Sequence, residues 1–168
     1  VTAFLKNKLI KAIPNKYKFT AVLSGPEPQR SILESKIVNL FRQLPSECAI
    51  IQGKPLSKNH KEHNIDFFAH LNTDKFLDTI NNSEIILCRS GYSNVMDFSA
   101  LGKKVIFIPT PGQTEQEYLA NYHSEVSKVT SIRQSEISLE KINSNTGTVI
   151  QPMCDEGLMN LAFEKAML

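Results

Sequence analysis

Neither charge dominates this sequence. Its 19 Lys and Arg against 17 Asp and Glu leave a formal net charge of +2, far from the basic excess of a nucleic-acid binder, and no nucleic-acid partner is expected. Apolar runs are short. None approaches the ~20 residues of a membrane-spanning helix, and no segment reads as a signal peptide. Paired cysteines are also missing: Cys48, Cys88 and Cys154 are odd in number and scattered, without a Cys-x-x-Cys pair. A reduced, cytoplasmic protein is the simplest expectation. The familiar chemical signatures are absent too. There is no P-loop lysine motif, no full G-x-G-x-x-G and no Ser-His-Asp order. His60 and His63, in "NHKEHN", have a spacing that permits a metal but lack a partner cysteine or a helix, so they read as a solvated loop, and no metal site is expected.

What remains is an alternation of short apolar runs with amphipathic segments. Residues 1–16 are polar and basic and read as a linker or docked arm. From residue 17 the chain reads as one domain running to residue 168, a size that can bury a substantial core. Strands are expected at Phe19–Leu23, Cys48–Ile51, Ile65–Ala69, Ile85–Cys88 and Val105–Ile108. The recurrence of Leu33, Ile37, Leu40 and Leu44 marks one face of a helix that Pro45 ends. Residues 54–64 read as a polar loop. Short helices are expected around Phe76–Ile80 and Leu139–Ile142, with longer ones from Ser93 to Leu101, from Thr114 to Tyr122 and from Asp155 to Leu168. Gly102 is a good stop for the helix from Ser93 to Leu101. Val126 to Ile132 reads as an edge strand. Four-residue apolar strands alternating with helices imply an α/β fold, a doubly wound and mostly parallel sheet.

In such sheets ligands bind beyond the carboxyl ends of the strands, and three strand ends carry unusual loops. The first is "LSGPEPQR". A strand entering a glycine turn and then a helix can hold an anion, but Pro26 and Pro28 lack an N–H and Glu27 would repel phosphate. The donors reduce to Gly25, Glu27, Gln29, Arg30 and the Ser24 hydroxyl, and a rigid turn and a binding loop are both open. The second is "RSGYSNVMD". Gly91 allows a turn that a Cβ would resist. Tyr92, Ser93 and Asn94 then place backbone donors at a helix start, with Asp97 on the same face as Ser93 and Asn94. One turn rises about 5.4 Å, comparable to the step from a ribose diol to its phosphate. The bland alternative is that Ser93 or Asn94 caps the helix and Asp97 favours its positive end. The third is "PTPGQTEQEYLAN", where Gln116 and Glu117 fall in a helical first turn with groups suited to sugar hydroxyls. An ordinary acidic helix start is the alternative there.

Taken together, Arg89-Ser90-Gly91, Asp97, Gly102-Lys103-Lys104, Pro109 and Gln116 resemble the C-terminal domain of GT-B glycosyltransferases. They are most similar to the family 28, MurG-type branch, which transfers N-acetylglucosamine from UDP-GlcNAc to a lipid-linked acceptor. The match is best over residues 84–121 and looser over 20–127. The resemblance implies a Rossmann-like half of a GT-B fold. It implies that Ser93 and Asn94, with the Arg89–Tyr92 turn before them, meet the diphosphate, and that Asp97 takes the ribose hydroxyls. Gln116 and Glu117 would contact the donor sugar, backbone around His70-Leu71 would frame the uracil, and Ser24-Gly25 would correspond to a glycine-rich phosphate loop. The sequence departs from the pattern at three points: Asp97 stands where glutamate is usual, Ser-Gly-Pro-Glu-Pro replaces the glycine-rich loop, and Glu117 stands where glutamine is common.

The resemblance covers half an enzyme. The acceptor site and the catalytic base are expected in an N-terminal domain or partner subunit, so no catalytic base is expected in this chain. The start at Val1 and the linker-like residues 1–16 favour an excised domain. No cofactor is implied beyond a UDP-sugar donor, and the whole enzyme could sit peripherally at the inner face of a membrane. Two other readings stand beside this one: a nucleotide-sugar epimerase or hydrolase on the same fold, and a non-catalytic nucleotide-binding or partner-docking module.

Overall fold

The computed structural model describes residues 15–150. The expected arm up to residue 14 and the expected helix from Asp155 lie outside them. In chain order the elements are β1 (Tyr17–Val22), α1 (Gln29–Phe41), β2 (Cys48–Ile51), β3 (His60–Glu62), β4 (Ile65–Phe68), α2 (Thr73–Asn81), β5 (Ser83–Cys88), α3 (Tyr92–Leu101), β6 (Lys104–Phe107), α4 (Thr114–Val126), β7 (Thr130–Ser131), α5 (Leu139–Asn143) and β8 (Thr148–Val149). The sheet runs β3-β4-β2-β1-β5-β6-β7, with β8 also pairing on β6. Its centre is parallel: Phe19 of β1 lies opposite both Cys48 of β2 and Ile85 of β5. Only β3 and β8 run antiparallel to their partners.

The near-continuous apolar strands follow from burial on both faces. Phe19, Ile50, Ile85, Leu87 and Ile106 point to one side, where Leu33, Ile37 and Phe41 of α1 and Ile142 of α5 cover them. Ile86, Cys88, Val105 and Phe107 point to the other, under Leu77 and Ile80 of α2, Val95, Phe98 and Leu101 of α3, and Ala120 of α4. The sheet is therefore doubly wound. Each fully buried side chain of this size contributes roughly 1.5–3 kcal/mol. Truncating Phe98, 1% exposed, would cost about 3–5 kcal/mol.

The chain winds outward from β1 through β2 to β4 and then returns to β5, on the opposite side of β1. At that reversal the loops leaving β1 and β5 diverge, and a crevice opens at their carboxyl ends. Helix α3 ends as expected: Gly102 adopts the left-handed conformation (φ 60°), and its N–H and that of Lys103 both reach Phe98 O.

Three sequence expectations change. The polar loop 54–64 contains an edge strand, β3, on which the His60 ring stacks against Phe67 at 4.5 Å between centroids. The expected edge strand Val126–Ile132 shrinks to Thr130–Ser131, because α4 continues through Val126 and leaves that side chain exposed. The apolar spacing of Val126, Val129 and Ile132 thus comes from a helix end followed by two buried anchors. Strand β8 had no counterpart in the sequence reading.

Candidate functional site

The rim of the crevice is assembled from the ends of β1, β5 and β6. Helix α3 opens it. Its N-cap is Gly91 and no side chain caps it. Asn94, a residue type that usually caps, instead turns back and donates from Nδ2 to the Arg89 carbonyl at 2.9 Å. The first intrahelical bond is Val95 N–H to Gly91 O. The N–H groups of Tyr92, Ser93 and Asn94 are therefore left facing the rim, at the positive end of the helix dipole. Ser93 and Tyr92 are exposed, Tyr92 at 56%. The capping alternative for Ser93 and Asn94 is not what the structure shows.

Asp97 lies one turn further along. It is half-buried and makes no hydrogen bond or ion pair with any described residue, and burial holds its carboxyl above its ordinary range. An unpaired, partly desolvated carboxylate beside an uncapped helix start is costly to the fold. It is also an acceptor available to hydroxyl donors.

Gly91 plays a different part from the one expected. Its backbone is ordinary extended chain (φ −70°, ψ 151°), so no turn there requires glycine. A Cβ would point toward Gln116, 4.0 Å from its Nε2, into the space above the helix mouth. Absence of that carbon leaves the bare backbone approachable.

Arg89 also departs from expectation. Its side chain is 1% exposed and is directed inward, away from the rim. Nη1 donates to Ile108 O (3.0 Å) and Pro109 O (3.2 Å), while Nη2 donates to Gln29 O (3.0 Å) and to Gln134 Oε1 (2.6 Å). Gln134 Nε2 donates in turn to Gln29 Oε1 at 2.8 Å. One guanidinium thus ties the start of α1, the end of β6 and the segment after β7. Burial lowers its pKa to about 10, which leaves it charged at neutral pH. It shapes the rim and presents no charge to a ligand.

Ser90 is buried and donates from Oγ to the Gln116 carbonyl at 2.6 Å, fastening α4 to the entrance of α3. The Gln116 side chain accepts from Thr110 N–H at 2.9 Å and donates to Gln113 Oε1. The second amide hydrogen of Gln116 has no partner among the described residues. Glu117 is exposed and accepts from Gly112 N–H at 3.1 Å.

The loop after β1, open from sequence between a rigid turn and a binding loop, uses part of its donor set on itself. Glu27 places its own carboxylate at the start of α1, accepting from Ser31 N–H (3.1 Å) and Ser31 Oγ (2.9 Å), and the Ser31 hydroxyl lowers its pKa. The Arg30 N–H, counted as a donor from sequence, is taken by Pro26 O at 3.1 Å. Ser24 and Gly25 remain exposed at the rim, and the φ of +100° at Gly25 is one that favours glycine. Leu71 is half-buried against the α2–α3 face of the core, just before Asn72 caps α2. Among the described residues no group of three or more His, Cys, Asp or Glu could hold a metal.

Sequence reasoning missed Gln134 and Thr110, and counted Gln29 only for its N–H. Thr110 is 2% exposed and its hydroxyl has no partner. Arg30 was counted only for its N–H, although the four-residue spacing to Glu34 signals the ion pair at 3.1 Å that helps pin this loop. No local pattern marks Gln134, Thr110 or the Gln29 side chain.

The family model described as "Glycosyltransferase family 28 C-terminal domain" matches residues 9–166. The chain belongs to that family. Relatives include two proteins named UDP-N-acetylglucosamine–N-acetylmuramyl-(pentapeptide) pyrophosphoryl-undecaprenol N-acetylglucosamine transferase. The one from Pasteurella multocida is 27% identical over 137 residues, covering 76% of this chain and 38% of the relative. The one from Histophilus somni is 34% identical over 123 residues, covering 66% and 34%. The chain thus spans little more than a third of the curated relatives it matches. Among solved structures, Acinetobacter baumannii MurG superposes with a TM-score of 0.58 at 16% identity, covering 81% of this chain and 44% of that one. The glycotransferase of kitacinnamycin superposes at 0.62 with 12% identity, covering 82% and 35%. At such identities these two establish the fold. Family 28 membership gives the domain its class: it is a glycosyltransferase family 28 C-terminal domain.

Proposed function

We propose that this domain binds the nucleotide-sugar donor of an inverting glycosyltransferase, with a UDP-linked hexosamine such as N-acetylglucosamine as the donor. The observation that carries the reading is the pairing of an uncapped α3 mouth with Asp97, one turn away and without a hydrogen-bond or ion-pair partner among the described residues. The free N–H groups suit a diphosphate, and the carboxylate suits the two hydroxyls of a ribose. The names of the Pasteurella and Histophilus relatives supply the sugar.

In the reaction an acceptor hydroxyl oxygen bonds to the anomeric carbon as the bond from that carbon to the diphosphate oxygen breaks. The diphosphate departs with the electron pair, and the hydroxyl proton passes to a base outside this chain. The domain's contribution is electrostatic. The N–H groups of Tyr92, Ser93 and Asn94 meet the charge that grows on the leaving diphosphate, and this work needs no metal. The acceptor, by analogy with the relatives' names, is lipid-linked and is held by a further domain or subunit.

Calorimetric titration with UDP, UDP-N-acetylglucosamine and ADP tests the reading. Both uridine ligands should bind, ADP more weakly, and Asp97→Ala should weaken both. Absence of uridine-nucleotide binding at millimolar concentration overturns it.

A further inference from the structure

The side-chain amide of Gln116 has one orientation open to it. Thr110 N–H reaches it at 2.9 Å. A backbone N–H can only donate, so the atom that meets it is the amide oxygen. The nitrogen is thereby turned to the other side, where it donates to the Gln113 side chain. That contact settles a second amide: because Gln116 Nε2 donates, Gln113 presents its oxygen. Both assignments follow from one backbone donor. Gln113 is suited to hold the arrangement. It is the half-buried N-cap of α4, with its N–H donating to Thr110 O at 3.1 Å and its carbonyl accepting from Glu117 N–H at 3.0 Å. Its side chain caps no backbone group of α4 and is engaged with Gln116 instead. Gln116 is also fastened through its carbonyl, which accepts from Ser90 Oγ at 2.6 Å. Its Nε2 lies 4.0 Å from the place a Gly91 Cβ would take, and the second hydrogen on that nitrogen has no partner among the described residues.

We propose that Gln113 is a positioning residue: it orients the Gln116 amide so that Nε2 donates to an oxygen of the donor's sugar. Gln116 then reads a hydrogen-bond acceptor on the ligand, since its own oxygen is taken by Thr110. A group held from two sides before the ligand arrives loses little freedom on binding. With leucine at position 113 the nitrogen has no acceptor, and the amide keeps only its bond to Thr110. Glutamate at the same position preserves the arrangement, because a carboxylate oxygen accepts from Nε2 as the amide oxygen does. The contact with the sugar rests on the donor reading, while the orientation of the amide does not.

The test is calorimetric titration of the 168-residue chain with UDP and with UDP-N-acetylglucosamine, because the ratio of the two Kd values isolates the sugar. In Gln113→Leu the Kd for UDP-N-acetylglucosamine should rise roughly fivefold while that for UDP is unchanged. Gln113→Glu should restore the wild-type ratio. On a Gln116→Leu background Gln113→Leu should have no further effect, since no amide is left to orient. NMR of the Gln116 side-chain amide without ligand reads the orientation itself. The hydrogen bonded to Gln113 should lie downfield of its partner in the wild type and in Gln113→Glu, and move upfield in Gln113→Leu. An amide signal indifferent to Gln113→Leu, an equal loss of both ligands, no rescue by glutamate, or additivity with Gln116→Leu overturns the proposal. Binding of neither ligand to the wild type overturns the donor reading and the sugar contact with it. UDP binding with a Kd ratio unmoved by Gln113→Leu overturns the positioning role alone.

Discussion

Replacing Asp97 with asparagine should make the domain more stable and its hold on UDP weaker. The two effects have one cause. Asp97 is half-buried and makes no hydrogen bond or ion pair among the described residues, so no contact with them offsets the desolvation of its charge. Water still reaches the carboxylate, which limits the gain from neutralising it to about 0.5 kcal/mol, or roughly 1–2 °C in melting temperature at this size. The pH dependence fixes the sign. The folded-state pKa lies above the ordinary value, so protonation favours the folded form. The penalty is present above the folded pKa and vanishes as pH falls through the carboxylate range. Wild type and Asp97→Asn should therefore differ in melting temperature at neutral pH and converge in acid. For binding, asparagine keeps an acceptor oxygen but loses the charge that strengthens hydrogen bonds from ribose hydroxyls. That difference is about 1.4 kcal/mol, or roughly tenfold in Kd. Asp97→Ala, which removes both acceptors, should lose roughly 30-fold or more. Thermal melts across pH and calorimetry with UDP read both quantities on the same samples. Unchanged UDP affinity in Asp97→Asn, or a loss of stability, would refute the assignment of this carboxylate to the ligand.

Other perturbations separate scaffold from site. Gly91→Ala should alter stability by less than about 0.5 kcal/mol, because its backbone is ordinary, yet weaken UDP binding as the new methyl enters the helix mouth; Gly25→Ala should cost about 1 kcal/mol through its φ of +100° even though space is available. Urea unfolding measures both. Ser90→Ala removes a buried hydrogen bond to the Gln116 carbonyl and should destabilise by roughly 1–2 kcal/mol in the same assay. His123 is 1% exposed, neither ring nitrogen has a partner among the described residues, and burial lowers its pKa. Its contribution is thus complete above the ordinary histidine pKa and declines as pH falls below it. The melting temperature of His123→Leu should fall less between about pH 8 and about pH 5 than that of the wild type.

The strands and most helices were legible because both sheet faces are buried, which forces runs such as Ile85–Cys88 to be apolar throughout, and because Gly102 and Pro45 punctuate their helices plainly. Strand β7 was legible as an edge strand at Val126–Ile132 but not in its bounds, Thr130–Ser131. Thr130 and Ser131 carry no apolar signal, and their place is set by pairing with Ile106 and Phe107. Strand β3 was hidden for a similar reason: His60, Lys61 and Glu62 belong to an edge, where polar side chains suit solvent.

The crevice was legible as a location and less so as a set of roles. Sequence shows that Ser93 and Asn94 are good capping residues at a helix start, and this gives equal support to a capped helix and to an open anion site. The deciding fact is that Asn94 points backward to the Arg89 carbonyl, a choice made by tertiary packing. An uncapped helix start forgoes about 1 kcal/mol, and Asp97 adds its own desolvation. Such a rim holds its shape only if something behind it is strongly fixed. Arg89 and Ser90 do this, with five hydrogen bonds between them to Ile108, Pro109, Gln29, Gln134 and Gln116. The Arg-Ser-Gly motif is thus divided by chemistry. Its two polar side chains face inward and brace the loops, and its glycine leaves the helix mouth bare. The frame is held by the four hydrogen bonds of the Arg89 guanidinium and the one from Ser90, while Asp97 and the N–H groups of Tyr92, Ser93 and Asn94, which have no partner among the described residues, are where a ligand would be held.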